Sequence, residues 1–275
     1  MSDNTHDLPR REIAHYGWKP DLPDQRDHLY AAPLPKLGPL PAKVDLRKQC
    51  PGVYDQGQIG SCTANAIAAA IEFDLLKQRL ADFVPSRLFI YFNERDMERS
   101  VAVDGGAQIR DGVKSVNKLG VCPESQWTYD DTPADPLTNL WPAGAKPAQK
   151  PTPSCYVAAL EHQVVSYQRV SRNLAQLKGC LAAGYPYVFG FTVYDAFESA
   201  EVATSGVLNM PTSTEGVIGG HAVLAVGYDD VAQRFIVRNS WGAKWGLKGH
   251  FTMPYAYLLS SNLASDFWTL RTVEG

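Results

Sequence analysis

The stretch Val53–Ala66, VYDQGQIGSCTANA, together with the run that follows it to Leu80, decides how this chain is read. Ile67, Ile71 and Leu75 recur every fourth residue with Ala64 and Ala68 beside them, which predicts an amphipathic helix over 62–80. Ser61 is a good N-cap, and Lys77 and Arg79 stand where the C-terminal end of a helix favours cations. Cys62 therefore falls in the first turn of the strongest helix. Unpaired backbone donors and the positive end of the dipole stabilise an anion there, and the thiolate is the nucleophilic form of cysteine. Two glycines just before it, Gly57 and Gly60, let backbone approach a ligand closely. On these features alone, Cys62 is either a nucleophile or a small buried hydrophobe.

Beyond this helix the chain reads in two textures. Short helical signals follow at 86–95 and at 109–119, the second stopped by Gly120. Residues 133–153 carry six prolines and read as a crossover between lobes. After them comes one helix, 174–183, capped by Asn173. Strands are then expected at 185–194, 221–228, 234–239 and 249–253. Helices first and strands later predict an α+β protein with a mainly helical lobe over 44–150 and a mainly β lobe over 151–275. Residues 1–43, with six prolines between Pro20 and Pro41, read as an extended arm. Tyr16, Trp18, Leu29 and Tyr30 are its apolar anchors; the other reading is a flexible tail.

Composition narrows the function classes. The chain has 275 residues, of which 45% are hydrophobic and 20% charged, so a folded soluble core is expected. A net charge of −3 gives no positive field for nucleic acid or an anionic membrane surface. The longest aliphatic run, Ala66 to Ile71, is far short of a membrane span. The first twenty residues lack the apolar core of a secretory signal, so a cytoplasmic, reducing compartment is the default, with non-classical secretion as the other route. The five cysteines are widely spaced with no C-x-x-C pair, which supports neither a zinc site nor a redox motif and predicts reduced thiols.

A nucleophilic thiol needs a base. Of six histidines, His221 has the distinctive setting: it follows Gly219 and Gly220 and opens the apolar run Ala222–Gly227. A core histidine bonded to a carbonyl has the same look. Asn239 ends a predicted strand, where its amide oxygen is placed to accept an imidazole N–H and fix the tautomer, and Trp241 to shield that bond. NSWG is also compatible with a tight turn before a core tryptophan. Gln56, six residues before Cys62, is placed to donate to an oxyanion beside the Cys62 N–H, or is a turn residue in YDQG.

Taken together, VYDQGQIGSCTANA, GGHAVLAVGY and RNSWGAKWG resemble, in order and spacing, the three motif blocks of the papain-family cysteine peptidases. The resemblance runs from about Val44 to the end and is strongest to bacterial members without secretory signals. It implies a two-lobed papain-like fold, with a helical left lobe, a β-barrel-like right lobe and the active site in the cleft between them. It implies Cys62 as nucleophile, His221 as general base and acid, Asn239 as orienter and Gln56 as oxyanion donor. It implies Trp241 over the histidine–asparagine bond, Trp245 on the leaving-group side, Gly105 and Gly106 pairing with extended substrate backbone, and Gly190 with Ala222 walling the main specificity pocket. The implied reaction is hydrolysis of a protein or peptide through an acyl-enzyme, with no metal or cofactor. An isopeptidase or transpeptidase using the same residues, and a non-catalytic binding protein on a peptidase scaffold, are the alternatives.

The chain departs from the family at Ile59, where disulfide-bearing members have a cysteine, and at Thr63, where an aromatic residue is usual. The long helical prosegment of secreted members is missing. Three expectations follow: a specificity pocket that is roomy, apolar and uncharged; a Cys62 thiol titrating well below a free thiol; and an N-terminal arm that restrains activity by covering part of the cleft, in effect a short prosegment. A belt that stabilises the β lobe without touching the cleft is the competing reading of the arm.

Overall fold

The computed structural model describes residues 13 and 15–273; residues 1–12 and 14 of the predicted arm lie outside the described residues. The chain runs through β1 (Trp18–Lys19), β2 (Leu29–Tyr30), α1 (Leu34–Leu37) and β3 (Lys43–Asp45) into α2 (Cys62–Gln78), α3 (Arg87–Met97), β4 (Ala107–Gln108) and α4 (Ile109–Leu119). It then passes through α5 (Pro153–Ala159), β5 (Val164–Val170), α6 (Leu174–Ala182), β6 (Tyr187–Tyr194), α7 (Ala200–Ser205) and β7 (Val217–Asp229). It closes with β8 (Arg234–Arg238), β9 (His250–Pro254), α8 (Tyr255–Leu259) and β10 (Ala264–Val273). Eight strands form one sheet in the order β2-β5-β10-β6-β7-β8-β9, with β3 against β7. The sheet is open along this path, so the lobe expected to be barrel-like is not a closed barrel.

Helix α2 is the axis of the fold and differs from the amphipathic helix expected. Every residue from Cys62 to Leu75 is buried. The helix packs on α3 and α4 on one side and on β7 and β10 on the other, and its alanines are what let backbone and sheet approach from both directions. Ser61 occupies the N-cap but its side chain does not cap. Its hydroxyl lies 2.6 Å from the Tyr129 hydroxyl and accepts from Asn65 Nδ2 at 2.9 Å. Arg79 stands just past the helix in the left-handed region, φ 59°, where its N–H closes the last turn on the Leu75 and Leu76 carbonyls.

The arm is tied to the core by three short strand pairings. β1 pairs in parallel with β4, β2 in parallel with β5, and β3 antiparallel with β7. Ala32 N–H donates to Gln176 Oε1 on α6 at 2.7 Å. All five cysteines are free, and none of the described helices is long and apolar enough to cross a membrane.

Candidate active site

Four separate segments meet where α2 begins. Cys62, fully buried, is its first residue. β7 carries His221, in register with Phe191 of β6. Asn239 follows β8, and its Oδ1 lies 2.8 Å from His221 Nε2. The Ser240 N–H donates to the same oxygen at 2.9 Å, which fixes the amide so that it presents its acceptor to the ring. Trp241 lies against the imidazole at 5.3 Å between centroids, Trp245 packs edge-on to Trp241 at 5.1 Å, and Phe197 closes the same wall at 4.9 Å from Trp241. Trp245 thus supports the wall one ring further out from His221.

Gln56 reaches this group because its segment is laced to the one after β8. The Gln56 N–H donates to the Ser240 carbonyl at 2.8 Å, and the Gly242 N–H to the Tyr54 carbonyl at 2.9 Å. The Ser240 hydroxyl donates to Gln56 Oε1 at 2.6 Å, and Gln56 Nε2 donates to the Ile59 carbonyl at 3.1 Å. An amide nitrogen has two hydrogens, so one remains for an acceptor in the cleft. Ser240 was named in sequence only as part of NSWG; here it orients both Asn239 and Gln56.

The sulfur of Cys62 faces the backbone N–H groups of Ala222, next to His221, and of Gly17 in the arm. Burial pushes the thiol up to about 12, and those two amides, with that of Thr63, pull the other way. The lowered thiol expected from sequence is therefore not found while the arm lies over it. Behind the nucleophile, Thr63 Oγ1 donates to Glu94 at 2.5 Å; burial holds that carboxyl well above its ordinary range, so the helix start meets a neutral acid. The structure places this polar pair where an aromatic residue is usual.

The cleft beside Cys62 holds residues 15–22. The Gly17 carbonyl accepts from the Ala107 N–H at 2.7 Å, just beyond Gly105 and Gly106. A Cβ at Gly17 would overlap the Gly60 carbonyl, and one at Gly106, φ 65°, would overlap the carbonyl of Gly17. The Tyr16 ring stands edge-on to His221 at 5.8 Å, and its hydroxyl donates to Glu198 Oε1 at 2.7 Å. Trp18 lies flat over Gly190 and Gly220, where any Cβ would strike the indole. Gly190 is in register with Ala222 across β6 and β7. At the far end of this pocket Trp18 Nε1 donates to Asp266 Oδ2 at 3.2 Å. The space over Gly190 and Gly220 is filled by the Trp18 indole, and at its end stands the buried carboxyl of Asp266, where an uncharged pocket was expected. Glu198 and Asp266 carried no signal in the sequence reading. Among the described residues no group of acidic, histidine or cysteine side chains is placed to hold a metal ion.

This arrangement has counterparts. The family described as papain family cysteine protease matches residues 40–266, and the chain belongs to that family. It is thus a thiol hydrolase acting on peptide bonds. Xylellain, a cysteine protease from Xylella fastidiosa, has a similar structure: TM-score 0.90, 48% identity, 96% of this chain and 98% of that one covered. An uncharacterized peptidase C1-like protein of Acanthamoeba polyphaga mimivirus is 43% identical over 283 residues, covering 94% of this chain and 87% of its own. Digestive procathepsin L 3 of Tenebrio molitor larval midgut shares the fold at TM-score 0.66 and 21% identity, over 90% of this chain and 74% of that one.

Proposed function

We propose that this chain is a cysteine endopeptidase with Cys62 as nucleophile, held latent by residues 15–22 of its own arm. The observation that carries the reading is the 2.8 Å contact between His221 Nε2 and Asn239 Oδ1, on a strand whose next N–H faces the Cys62 sulfur. Asn239 Oδ1 accepts the Nε2 proton, which leaves Nδ1 to exchange a proton with the sulfur. The thiolate attacks the substrate carbonyl, and the oxyanion takes the remaining Gln56 Nε2 hydrogen and the Cys62 N–H. Imidazolium His221 protonates the leaving amine, giving a thioester; it then takes a proton from water, which releases the acid.

Extended substrate replaces the arm. Its backbone takes the hydrogen bond that the Ala107 N–H gives Gly17, beside Gly105 and Gly106. Its side chain enters between Gly190 and Gly220 toward Asp266, with Trp241 and Trp245 on the opposite side.

Active-site titration with a thiol-directed peptidyl inhibitor tests the catalytic reading: one equivalent is incorporated by the intact sequence and none by Cys62→Ala, which also loses all turnover. Peptidase activity in folded Cys62→Ala refutes it. Product analysis with added amine nucleophiles separates hydrolysis from transpeptidation.

A further inference from the structure

Behind Trp18 the arm enters a cluster of buried charges. Asp21 and Asp27 come from the arm, Arg110 from α4, Arg169 from β5 and Asp266 from β10. Arg110 grips Asp27 with two of its three nitrogens, Nε at 3.0 Å and Nη2 at 2.6 Å, and the third, Nη1, donates to the Leu22 carbonyl. Arg169 bridges Asp27 at 3.0 Å and Asp266 at 3.2 Å. Three carboxylates thus share two guanidiniums, and Asp21 is the one whose oxygens touch neither, although the charge of Arg110 still acts on it. Its oxygens receive only neutral donors, the Arg110 backbone N–H at 3.0 Å and Trp268 Nε1 at 2.8 Å. Its own N–H donates to Asp266 Oδ2 at 2.8 Å, which brings the two carboxylates of arm and core together. The other charges nearby are taken up outside the cluster: Lys114 of α4 lies 3.7 Å from Asp24, and exposed Arg26 grips Asp24 as well.

We infer that Asp21 and Asp266 form a proton-operated latch on the arm, which docks over the cleft while this cluster carries one extra proton and loosens as that proton is lost. The inference rests on the reading that the arm restrains the site. Like charges that share a buried site do not both ionise cheaply, and the cheapest relief for a mobile segment is to leave. Burial first, and then the charge of Asp266, push Asp21 up to about 6, against 3.8 for an ordinary aspartate. The sign follows by linkage. A carboxylate whose pKa is raised in the docked state favours docking below its free pKa and loses that contribution as pH rises through the docked value. Between those two values the docking constant falls by about a hundredfold, which is the shift of roughly two pKa units. The peptidase is therefore latent in acid and released near neutrality.

The test uses the full chain and the rate at which iodoacetamide alkylates Cys62. The ratio of wild type to Asp21→Asn removes the pH dependence of the thiol itself, because both share it. Asp21→Asn removes the like charge beside Asp266 at every pH; its amide nitrogen faces one of the two N–H donors that the carboxylate accepts, a loss that does not vary with pH and leaves the pH dependence of the ratio to report the charge. At pH 7.5 Asp21→Asn is expected to react more slowly than wild type, by up to about a hundredfold; by pH 4.5 the ratio falls below about tenfold. Hydrogen exchange at the Gly17 amide of the unaltered chain provides a second readout, with protection falling as pH rises from 4.5 to 7.5 after correction for intrinsic exchange. A ratio independent of pH, or flat Gly17 protection, overturns the latch. Gly17→Ala, which expels the arm on steric grounds, separates the two readings. If it leaves alkylation unchanged, the arm does not restrain the site. If it speeds alkylation while the Asp21→Asn ratio stays flat, restraint stands and the latch alone falls.

Discussion

Replacing Gly17 with alanine is the smallest change that separates a restraining arm from a structural belt. Gly17 does not need a positive φ, so its own backbone does not resist the new methyl. The Gly60 carbonyl does, because a Cβ at Gly17 would overlap it. Gly60 has little freedom to retreat. Its N–H is held by both oxygens of Asp104 at 3.0 Å, and Asp104, itself buried, also accepts the Tyr91 hydroxyl. The arm must therefore move. Inserting a methyl into a close-packed contact costs about 1–3 kcal/mol, which corresponds to a roughly five- to 150-fold loss in the docking constant. If the arm covers Cys62, the fraction of open enzyme rises by that factor until the site is fully open. The initial rate of hydrolysis of a short fluorogenic peptide and the rate of Cys62 alkylation are expected to rise together, with the far-ultraviolet circular dichroism unchanged. A folded Gly17→Ala protein with the same or a lower rate refutes restraint and leaves the arm as a belt.

Three further outcomes are expected. Gln56→Ala should lower kcat by about 10²–10³ with little change in KM, since the amide acts on charge that develops only in the transition state; an equal loss in KM would mean that Gln56 binds substrate instead. Asp266→Ala, assayed in the Gly17→Ala background, should lose preference for substrates whose pocket side chain carries a donor at its far end, such as arginine or tryptophan, over leucine; an unchanged profile would mean that substrates do not follow Trp18 into that pocket. Asp74 is buried without a hydrogen-bond partner, and burial pushes it up to about 8. Its raised value means that stability falls as pH rises from the ordinary aspartate range toward 8, so Asp74→Asn should stabilise the fold at pH 7.5, on the order of 2–4 kcal/mol, and much less at pH 4. Urea denaturation at both pH values checks this, and equal or lower stability at pH 7.5 contradicts it.

How far the sequence could be read depended on whether a residue's role was set locally. Cys62, His221, Asn239 and Gln56 lie in short motifs whose glycines and small residues are dictated by their own backbone, and all four meet at one site. Helix α4 was legible to the residue because its apolar face is local and Gly120 stops it. Helix α2 was found but misjudged as amphipathic: its alanines read as a neutral flank, whereas the sheet packs on them. β5 and β10 were missed. The middle of β5 is half-buried and shows no clean alternation, and Asp266 takes φ 59° where the pairing of β10 with β6 shifts register. The docking of the arm was least legible of all. Trp18 and Asp266 are 248 residues apart, and nothing in the identity of either residue points to the other. The same distance hid the charge at the end of the pocket.

Because the segment in the cleft is joined, a few residues further along the chain, to the sheet through β2, its docking is an intramolecular event. A tethered segment of this kind faces its site at an effective concentration in the millimolar range, whatever the concentration of the protein. Dilution leaves an intact chain as covered as before, and a free peptide copying residues 15–22 would compete poorly against it. A single cut in the exposed stretch around Leu22 and Gln25 changes the order of the reaction. The segment before the cut becomes an ordinary ligand that dilution removes, while Leu29 and Tyr30 stay in the sheet with the core. The state of that one short connection then decides whether the occupancy of the cleft depends on how many copies of the protein are present.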